Sequence, residues 1–354
     1  MLKSAGIIFA GKASDVILEP REHFFSTIIG MDLQKELLRK MWSSGHLPHT
    51  LLFSGAQRIG KHSLAFALGK YVNCERGRAS HEVCDCRSCA LISRGLHPDL
   101  FLVEPQGATR TIQIDQLRQI QDIANVAPIE ARKKVIIFTD ADTMNPSSAN
   151  SALKLLEEPP SYLLLLLLST RPHQLLPTVK SRCAHMKLTP IAEDSIERWL
   201  AQHFDASEST ARLAAAFSGG IPGLALELVR KNYLGRRDML IREIDTMLAN
   251  KFPALFGVVE ELSKRFDPKE VSELLAGWYR DILISKFLTR FRECLVNKDA
   301  CDDIERMSEI YSHEALFSCM KELMDTHAMS ERVINKRLVF FVLLLRLGKL
   351  LQAG

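Results

Sequence analysis

The chain has 354 residues, and at about 150 residues per domain this length predicts two or three domains. It is 47% hydrophobic, 25% charged and 7% aromatic, a composition typical of soluble globular proteins that excludes the disordered and collagen-like classes. The formal net charge of +4 is too small to indicate a nucleic-acid or membrane partner by itself.

The pattern of apolar residues indicates neither a membrane-spanning segment nor a signal peptide. The longest apolar runs, residues 162–168 and 338–345, are much shorter than the roughly 20 residues that a bilayer-spanning helix needs. Lys12 and Asp15 interrupt the apolar N-terminal residues before a signal-peptide core forms. We therefore expect a cytoplasmic protein without a membrane partner, in which clustered cysteines indicate a metal site more than disulfides.

Residues 30–190 alternate strand-like and helical patterns. Helical spacing occupies residues 31–42, 63–71, 111–126 and 146–156. The strand-length runs are continuously apolar and lie at 50–54, 99–103, 134–139 and 162–169. Continuous runs are typical of strands buried on both faces, as in a parallel sheet covered by helices. The sequence therefore predicts an α/β domain over residues 1–190.

The segment between the first apolar run and the next helix has the form of a phosphate-binding loop. It begins at Gly55 and ends with Gly60 and Lys61. Glycines let backbone N–H groups surround an anion, and the lysine would reach the outer phosphates. The next position should carry a hydroxyl for Mg²⁺ but is His62, and Ser63 lies about 100° further around the helix. The segment indicates phosphate-loop ancestry and leaves the binding of ATP or ADP open.

A nucleoside triphosphatase also needs an acidic residue after a neighbouring strand, followed by a residue that polarises water. Asp140 follows the run at 134–139, where it either holds a metal or forms a turn. The next residue is Ala141, which accepts no proton, so hydrolysis would lack its general base. Asp142 is expected to cap the following helix. Thr170, after the last strand-length run, completes the candidate nucleotide-binding set.

Four of the eight cysteines follow the phosphate-loop helix closely: Cys74, Cys84, Cys86 and Cys89. Four thiolates at this spacing suit a tetrahedral, closed and therefore structural Zn²⁺ site. The spacing departs from two Cys-x2-Cys pairs, which leaves Cys84 and His81 as alternative fourth ligands. Buried or redox-active cysteines are the alternative to a metal site, and we favour Zn²⁺.

The strand-like patterns end at Pro190. Three short helical patterns, at 191–202, 207–217 and 223–231, predict a small helical bundle over residues 191–235. Longer amphipathic patterns then predict an all-helical third domain over residues 236–354. The apolar run at 338–345 needs a partner, which is either its own domain or an adjacent subunit.

Three motifs, together with the cysteine insertion, resemble the AAA+ subunits of the bacterial DNA polymerase III clamp loader. They are Leu-His-Pro-Asp-Leu at 96–100, the run ending in Leu-Glu-Glu-Pro-Pro at 148–160, and Leu-Pro-Thr-Val-Lys-Ser-Arg-Cys at 176–183. The resemblance is strong over residues 25–230. It extends to the third domain chiefly through Asn-Lys-Arg-Leu at 335–338, and residues 1–24 have no counterpart.

The resemblance implies an AAA+ phosphate-loop domain with a parallel sheet and a zinc-binding insertion over residues 74–89. A small helical lid over 191–235 and an all-α collar over 236–354 would follow it. The implied partners are the gamma/tau and delta subunits in a pentameric hetero-oligomer. Through that complex the chain would contact the sliding clamp and primed DNA.

Two kinds of subunit share this pattern, the ATP-hydrolysing gamma/tau motor and the delta-prime type, which mostly lacks hydrolysis. His62, Ala141 and Gly223, the last at the place where motor subunits carry a second sensor arginine, favour the delta-prime type. Arg182 is retained, and in the family it enters a neighbouring subunit's ATP site as an arginine finger. We therefore expect a non-hydrolysing structural subunit that supplies Arg182 in trans.

Two alternatives remain at this stage. The first is an active gamma/tau-type clamp-loader ATPase, in which Ser63 or Asp142 compensates for the lost groups. The second is a zinc-stabilised nucleic-acid-binding module, which the small number of aromatic residues and the absence of a basic stripe disfavour.

Overall fold

The structure is a computed structural model that describes residues 7–9, 24–76, 84–107, 109–250, 252–330 and 335–352. The chain divides into two compact units. One comprises Met1–Trp199 with Ser218–Glu227, and the other comprises Leu200–Phe217 with Leu228–Gly354. The predicted domain edges at residues 190 and 235 stay a prediction, and most of the N-terminal segment 1–24 lies outside the described residues.

The first unit is built on one sheet. Its strands within the described ranges are β1 (Ile7–Phe9), β2 (Thr50–Ser54), β3 (Leu100–Val103), β4 (Lys134–Phe138), β5 (Leu163–Ser169) and β6 (Ala184–Lys187). The strand order is β1-β3-β4-β5-β2-β6. The pairs β3–β4, β4–β5, β5–β2 and β2–β6 are parallel, whereas β1 pairs antiparallel with β3. The four central strands are buried at every position, which confirms the predicted parallel α/β sheet.

The two edge strands have weaker sequence signals. β1 and β6 are only three and four residues long, and Met186 is the one buried residue of β6. β1 is shorter than a typical strand-length run, and β6 alternates apolar and polar residues where the central strands are continuously apolar. Both strands are therefore recognised only by their backbone pairing with β3 and β2.

Helices cover both faces of the sheet. Those described before residue 190 are α1 (Asp32–Ser43), α2 (Lys61–Asn73), α3 (Arg87–Ser93), α4 (Ile114–Asn125), α5 (Pro146–Glu157) and α6 (Pro177–Lys180). Helices α1, α2 and α3 share an apolar core with one set of alternating strand residues, which includes Phe53, Leu102 and Ile137. Helices α4 and α5 pack against the other set, which includes Leu52, Phe101 and Ile136. The period-two alternation of strand side chains thus supplies two cores from one sheet.

The rest of the described chain is helical. Its helices are α7 (Glu193–His203), α8 (Glu208–Phe217), α9 (Pro222–Arg230), α10 (Tyr233–Asn250), α11 (Phe252–Arg265), α12 (Pro268–Phe287), α13 (Phe291–Cys294), α14 (Cys301–Ile310), α15 (His313–Ser330) and α16 (Lys336–Gln352). Within the second unit, α12 packs against α14, α15 and α16 around a core that includes Leu275, Trp278 and Leu316. No helix in the described ranges combines the length and apolar content that crossing a bilayer requires.

The apolar residues of helix α16 were expected to pack either within their own domain or against an adjacent subunit. Phe340, Leu343, Leu344 and Leu347 are buried in the core of their own unit. Leu338, at the start of the same helix, remains 60% exposed. Most of the apolar surface of α16 is therefore covered within the chain itself.

Candidate functional site

The glycine loop joins β2 to α2 in a closely packed turn. A Cβ at Gly55 would lie 2.8 Å from the backbone carbonyl oxygen of Leu188, a contact that no side chain tolerates. Gly60, directly before α2, has φ +108°, a backbone conformation that side-chain-bearing residues rarely adopt. Both glycines that the sequence singled out are thus required by the path of the chain.

Lys61 directs its ammonium group back into the loop. Its Nζ donates to the carbonyl oxygens of Gly55 and Ala56, both at 2.8 Å, and the residue is only 6% exposed. Burial lowers the pKa of Lys61 to about 8, against the opposing effect of the Asp140 and Asp142 charges. The loop carbonyls therefore hold the cation that a phosphate would otherwise attract.

The candidate nucleotide-binding residues meet at one end of the sheet. They follow the carboxyl ends of β2, β5 and β4, which are neighbours in the strand order. His62 and Ser63 lie half-buried in the first turn of α2. Thr170, directly after β5, donates its N–H to the Asp142 carboxylate at 3.2 Å. The sheet topology thus gathers positions that are more than a hundred residues apart in the sequence.

Asp140 and Ala141 follow β4 directly. Asp140 has φ +46° and precedes the 3-10 turn Ala141–Thr143, and its side chain makes no capping hydrogen bond there. Ala141 is fully buried. A buried methyl group neither accepts a proton nor orients a water molecule, so the position that follows Asp140 supplies no general base.

The prediction that Asp142 caps the next helix is wrong. Asn145 is the N-cap of α5, and its side chain accepts the backbone N–H of Ser148 at 2.8 Å. Asp142 instead accepts hydrogen bonds from the Thr170 N–H and from Arg171 Nε, the latter at 3.1 Å. Because the 3-10 turn directs the carboxylate towards β5, Asp142 ties the ends of β4 and β5 together.

The segment Ser218–Glu227 belongs to the same compact unit as the glycine loop and contacts it directly. The Gly223 N–H donates to the Arg58 carbonyl oxygen at 3.1 Å, and the Arg58 guanidinium forms an ion pair with Glu227. Gly223 has no side chain to offer a bound phosphate. Nothing in the sequence pattern predicted the Arg58–Glu227 pair, because the two residues come from distant, unrelated segments.

Arg182 lies just after α6 and is paired within its own chain. Its Nη2 lies 2.6 Å from a carboxylate oxygen of Glu157, and its Nη1 donates to the Thr178 carbonyl oxygen at 2.8 Å. About a third of the Arg182 side chain remains exposed. Cys183 donates its thiol to the Val179 carbonyl oxygen, and burial raises the pKa of this thiol to about 11. Cys183 is therefore a packed thiol, and Arg182 is the accessible group of this motif.

The four clustered cysteines come together in the structure. The Sγ atoms of Cys74, Cys84, Cys86 and Cys89 all lie within 4.8 Å of one another, and all four residues are buried. The Cys74 and Cys84 sulfurs are 3.7 Å apart, far beyond a disulfide bond. Tetrahedral Zn²⁺ with bonds of about 2.3 Å requires sulfur atoms about 3.8 Å apart, which this cluster nearly meets. Cys84 thus occupies the fourth position, while the alternative ligand, His81, lies outside the described residues.

The cysteine cluster lies in a buried environment that opposes free thiolates. Burial, and next the neighbouring thiols, raise the pKa of Cys89, and burial raises the pKa of Cys74. An apolar pocket with several thiolates is costly unless a metal ion balances their charge. Lys70 lies nearby, with its Nζ 4.5 Å from the centre of the Phe24 ring that also packs on the cluster. No sequence pattern singles out Lys70, since lysines are usually solvated.

The Leu-His-Pro-Asp-Leu motif has a structural role in the first unit. The fully buried carboxylate of Asp99 accepts the backbone N–H groups of Ile129, Glu130 and Ala131, all within 2.9 Å. His97 is also buried, and its Nδ1 accepts the Asp99 N–H at 3.1 Å. These bonds anchor the connection that leads into β4.

Comparison with known families covers both units. Residues 31–192 match a family described as DNA polymerase III, delta subunit, and residues 231–349 match DNA polymerase III, delta subunit, C terminal. The Bacillus subtilis protein named DNA polymerase III subunit delta' is 33% identical over 261 residues, which cover 71% of this chain and 78% of that protein.

Two further relatives show how far the similarity extends. The Escherichia coli protein named DNA polymerase III subunit delta' is 27% identical over 324 residues, covering 90% of this chain and 94% of that protein. The Buchnera aphidicola protein named DNA polymerase III subunit gamma is 31% identical over 234 residues, 64% of each chain. Similarity to the Escherichia coli delta' protein thus spans nearly the whole chain, and similarity to the Buchnera aphidicola gamma protein spans about two thirds of it.

Proposed function

Because this chain belongs to the delta-prime family of DNA polymerase III subunits, a clamp-loader family related to gamma and tau, we propose that it is a structural subunit that does not hydrolyse ATP itself. One observation carries this proposal: Ala141 is buried where a hydrolysing subunit needs its general base. His62 at the Mg²⁺-hydroxyl position and Gly223 at the second-sensor position support it.

In this proposal Arg182 acts on a neighbouring subunit. An arginine finger stabilises the negative charge that develops on the transferring phosphoryl group. Arg182 suits that role because its guanidinium lies at the surface, after a short helix, with both terminal nitrogens held in place. The chain would thereby contribute chemistry to an ATP site that it does not itself contain.

The four-cysteine cluster would hold a structural Zn²⁺. Cys74, Cys84, Cys86 and Cys89 would supply all four ligands and leave no position open for water. When bound, the ion would link the end of α2 to the start of α3, since Cys74 follows α2 and Cys89 lies within α3.

The partners that fit this role are the gamma/tau and delta subunits in a pentameric hetero-oligomer. Family membership and the relatives named gamma and tau support this assignment. Contact with the sliding clamp and primed DNA would occur within that complex.

The decisive experiment is to reconstitute the clamp loader with Arg182→Ala in this chain. At the neighbouring ATP site, loss of an arginine finger costs roughly 10³-fold or more in rate. We expect the ATPase stimulated by clamp and DNA to fall clearly, while sites without contact to this chain retain activity. Arg212→Ala, at an exposed arginine of α8, is the control and should leave the rate unchanged.

The isolated chain provides the second test. The proposal requires that the pure protein does not turn over ATP. Steady hydrolysis by the isolated chain that disappears in Lys61→Ala would instead establish a gamma/tau-type motor. Unchanged stimulated ATPase in the Arg182→Ala complex would overturn the arginine-finger role.

A further inference from the structure

The contact between Arg182 and Glu157 joins two motifs that are separate in the sequence. Glu157 is the last residue of α5 and belongs to the Leu-Glu-Glu-Pro-Pro run. Arg182 follows α6 in the Ser-Arg-Cys run. Packing of α5 against α6 brings the carboxylate to 2.6 Å from Arg182 Nη2. The pair therefore depends on the fold of the α/β unit and is not a local pair along one helix.

The guanidinium is held at two points. Glu157 binds Nη2, and the Thr178 carbonyl oxygen accepts from Nη1 at 2.8 Å. A guanidinium has five N–H donors in a fixed plane, so two such bonds define its orientation and leave the other donors for a ligand. Fixing the plane in advance removes rotamer freedom that would otherwise be lost in the transition state.

From this geometry we propose that Glu157 is a positioning residue for Arg182, which orients the guanidinium towards the neighbouring subunit's ATP. The inference rests on the proposed arginine-finger function. Glu157 would act through its contact with the Arg182 guanidinium and would not itself contact the nucleotide. It keeps the donors of Arg182 in one plane, and its contribution is therefore to the rate of the chemical step more than to ATP affinity.

The test is a double-mutant cycle in the reconstituted clamp loader, with Glu157→Ala, Arg182→Ala and the double variant. We expect Glu157→Ala to lower kcat of the stimulated ATPase about three- to tenfold at the site facing Arg182, with KM for ATP unchanged. Glu157→Gln keeps an oxygen acceptor for Nη2 and should retain most of the rate. In the Arg182→Ala background, removal of Glu157 should cause no further loss.

Glu158→Ala is the matched control. Glu158 is the neighbouring exposed residue and, within the described part of the chain, has no ion pair with Arg182. This variant should behave like the unmodified chain. Since Glu157 is at the surface, thermal unfolding of each isolated variant should be nearly unchanged and would show that the fold is intact.

The possible failures are distinguishable. If Arg182→Ala lowers the rate but Glu157→Ala leaves it unchanged or raises it, the positioning role is wrong while the arginine finger stands. Equal losses from Glu157→Ala with and without Arg182 would mean that Glu157 acts only on the fold. If Arg182→Ala itself has no effect, the proposed function fails first.

Discussion

Lys61 stands at the lysine position of a phosphate-binding loop, but carbonyl oxygens of the same loop bind its ammonium group. Its ammonium donates to two carbonyl oxygens of its own loop and is almost fully buried. Burial of a cation is costly, and that cost lowers its pKa to about 8 from an ordinary value of 10.5. The sequence motif predicts the position of this lysine but not the direction of its side chain.

The depressed pKa of Lys61 makes stability depend on pH. Between about pH 8 and 10.5 the unfolded chain keeps the proton that the folded chain releases, so the free energy of unfolding rises with pH. Lys61→Met removes this contribution, and we expect the rise from pH 8 to 10 to shrink by about 1–3 kcal/mol. Denaturant unfolding at both pH values measures the difference.

An exposed lysine provides the control for this experiment. Lys40→Met, on α1, replaces a solvated cation by the same side chain and should leave the pH dependence as it is in the unmodified chain. Identical slopes for Lys61→Met and the unmodified chain would contradict the assignment of the shift to Lys61.

At the scale of elements, the cysteine module connects the end of α2 to the short helix α3. Helix α3 has only seven residues, and its buried positions are Ser88, Cys89 and Ile92. Such a short helix has little apolar surface with which to fix its position. A metal held by thiolates on both sides of the intervening segment would provide the missing constraint.

Loss of one thiolate should therefore release the metal and loosen this module. We expect the purified chain to contain one Zn²⁺, and Cys89→Ser to lose most of it. The unfolding temperature of this variant should fall by about 5 °C or more. Elemental analysis and thermal unfolding are the two measurements.

Cys294→Ser serves as the matched substitution, because Cys294 is exposed and lies in the helical unit, outside the cluster. It should change neither metal content nor unfolding temperature. Equal zinc contents in Cys89→Ser and Cys294→Ser would rule out the proposed site.

At the scale of the whole molecule, the helical unit combines a buried core with apolar side chains on its surface. Leu316 is fully buried in α15, while its neighbour Phe317 is 57% exposed. The Phe317 ring lies 6.5 Å from that of Phe287, which is also exposed, so the two form one aromatic patch. Contiguous exposed apolar groups are typical of protein interaction sites, and in the proposed hetero-oligomer an adjacent subunit would cover this one.

Substitutions at these two neighbouring positions should affect different properties, fold stability at Leu316 and assembly at Phe317. Leu316→Ala creates a cavity in the core and should lower the free energy of unfolding of the isolated chain by about 2–5 kcal/mol. Phe317→Ser should change it by less than about 1 kcal/mol but weaken assembly with gamma/tau and delta at least tenfold. Denaturant unfolding and titrated complex formation measure the two quantities. Full-strength assembly of the Phe317→Ser chain would exclude the patch from the interface.

The sequence predicted the class of the fold because its signals are local. The runs that became β2, β4 and β5 are continuously apolar, and the helices between them show helical spacing. The same local chemistry identified Gly55, Gly60 and the four cysteines. Asp142 was misassigned because the helix cap lies three residues further on, at Asn145, and a cap is decided by the path of the backbone.

By itself, the sequence determined which side chain stands at each candidate position, a methyl group at Ala141 and a guanidinium at Arg182, since residue type does not depend on the fold. Only the tertiary structure decided what those groups contact. In the folded chain, the Lys61 ammonium donates to a carbonyl oxygen of its own loop, Arg182 pairs with Glu157, and most of the apolar surface of α16 is buried within its unit. The physical reason is that such contacts join segments far apart in the chain, and their geometry exists only after the sheet and helices have packed.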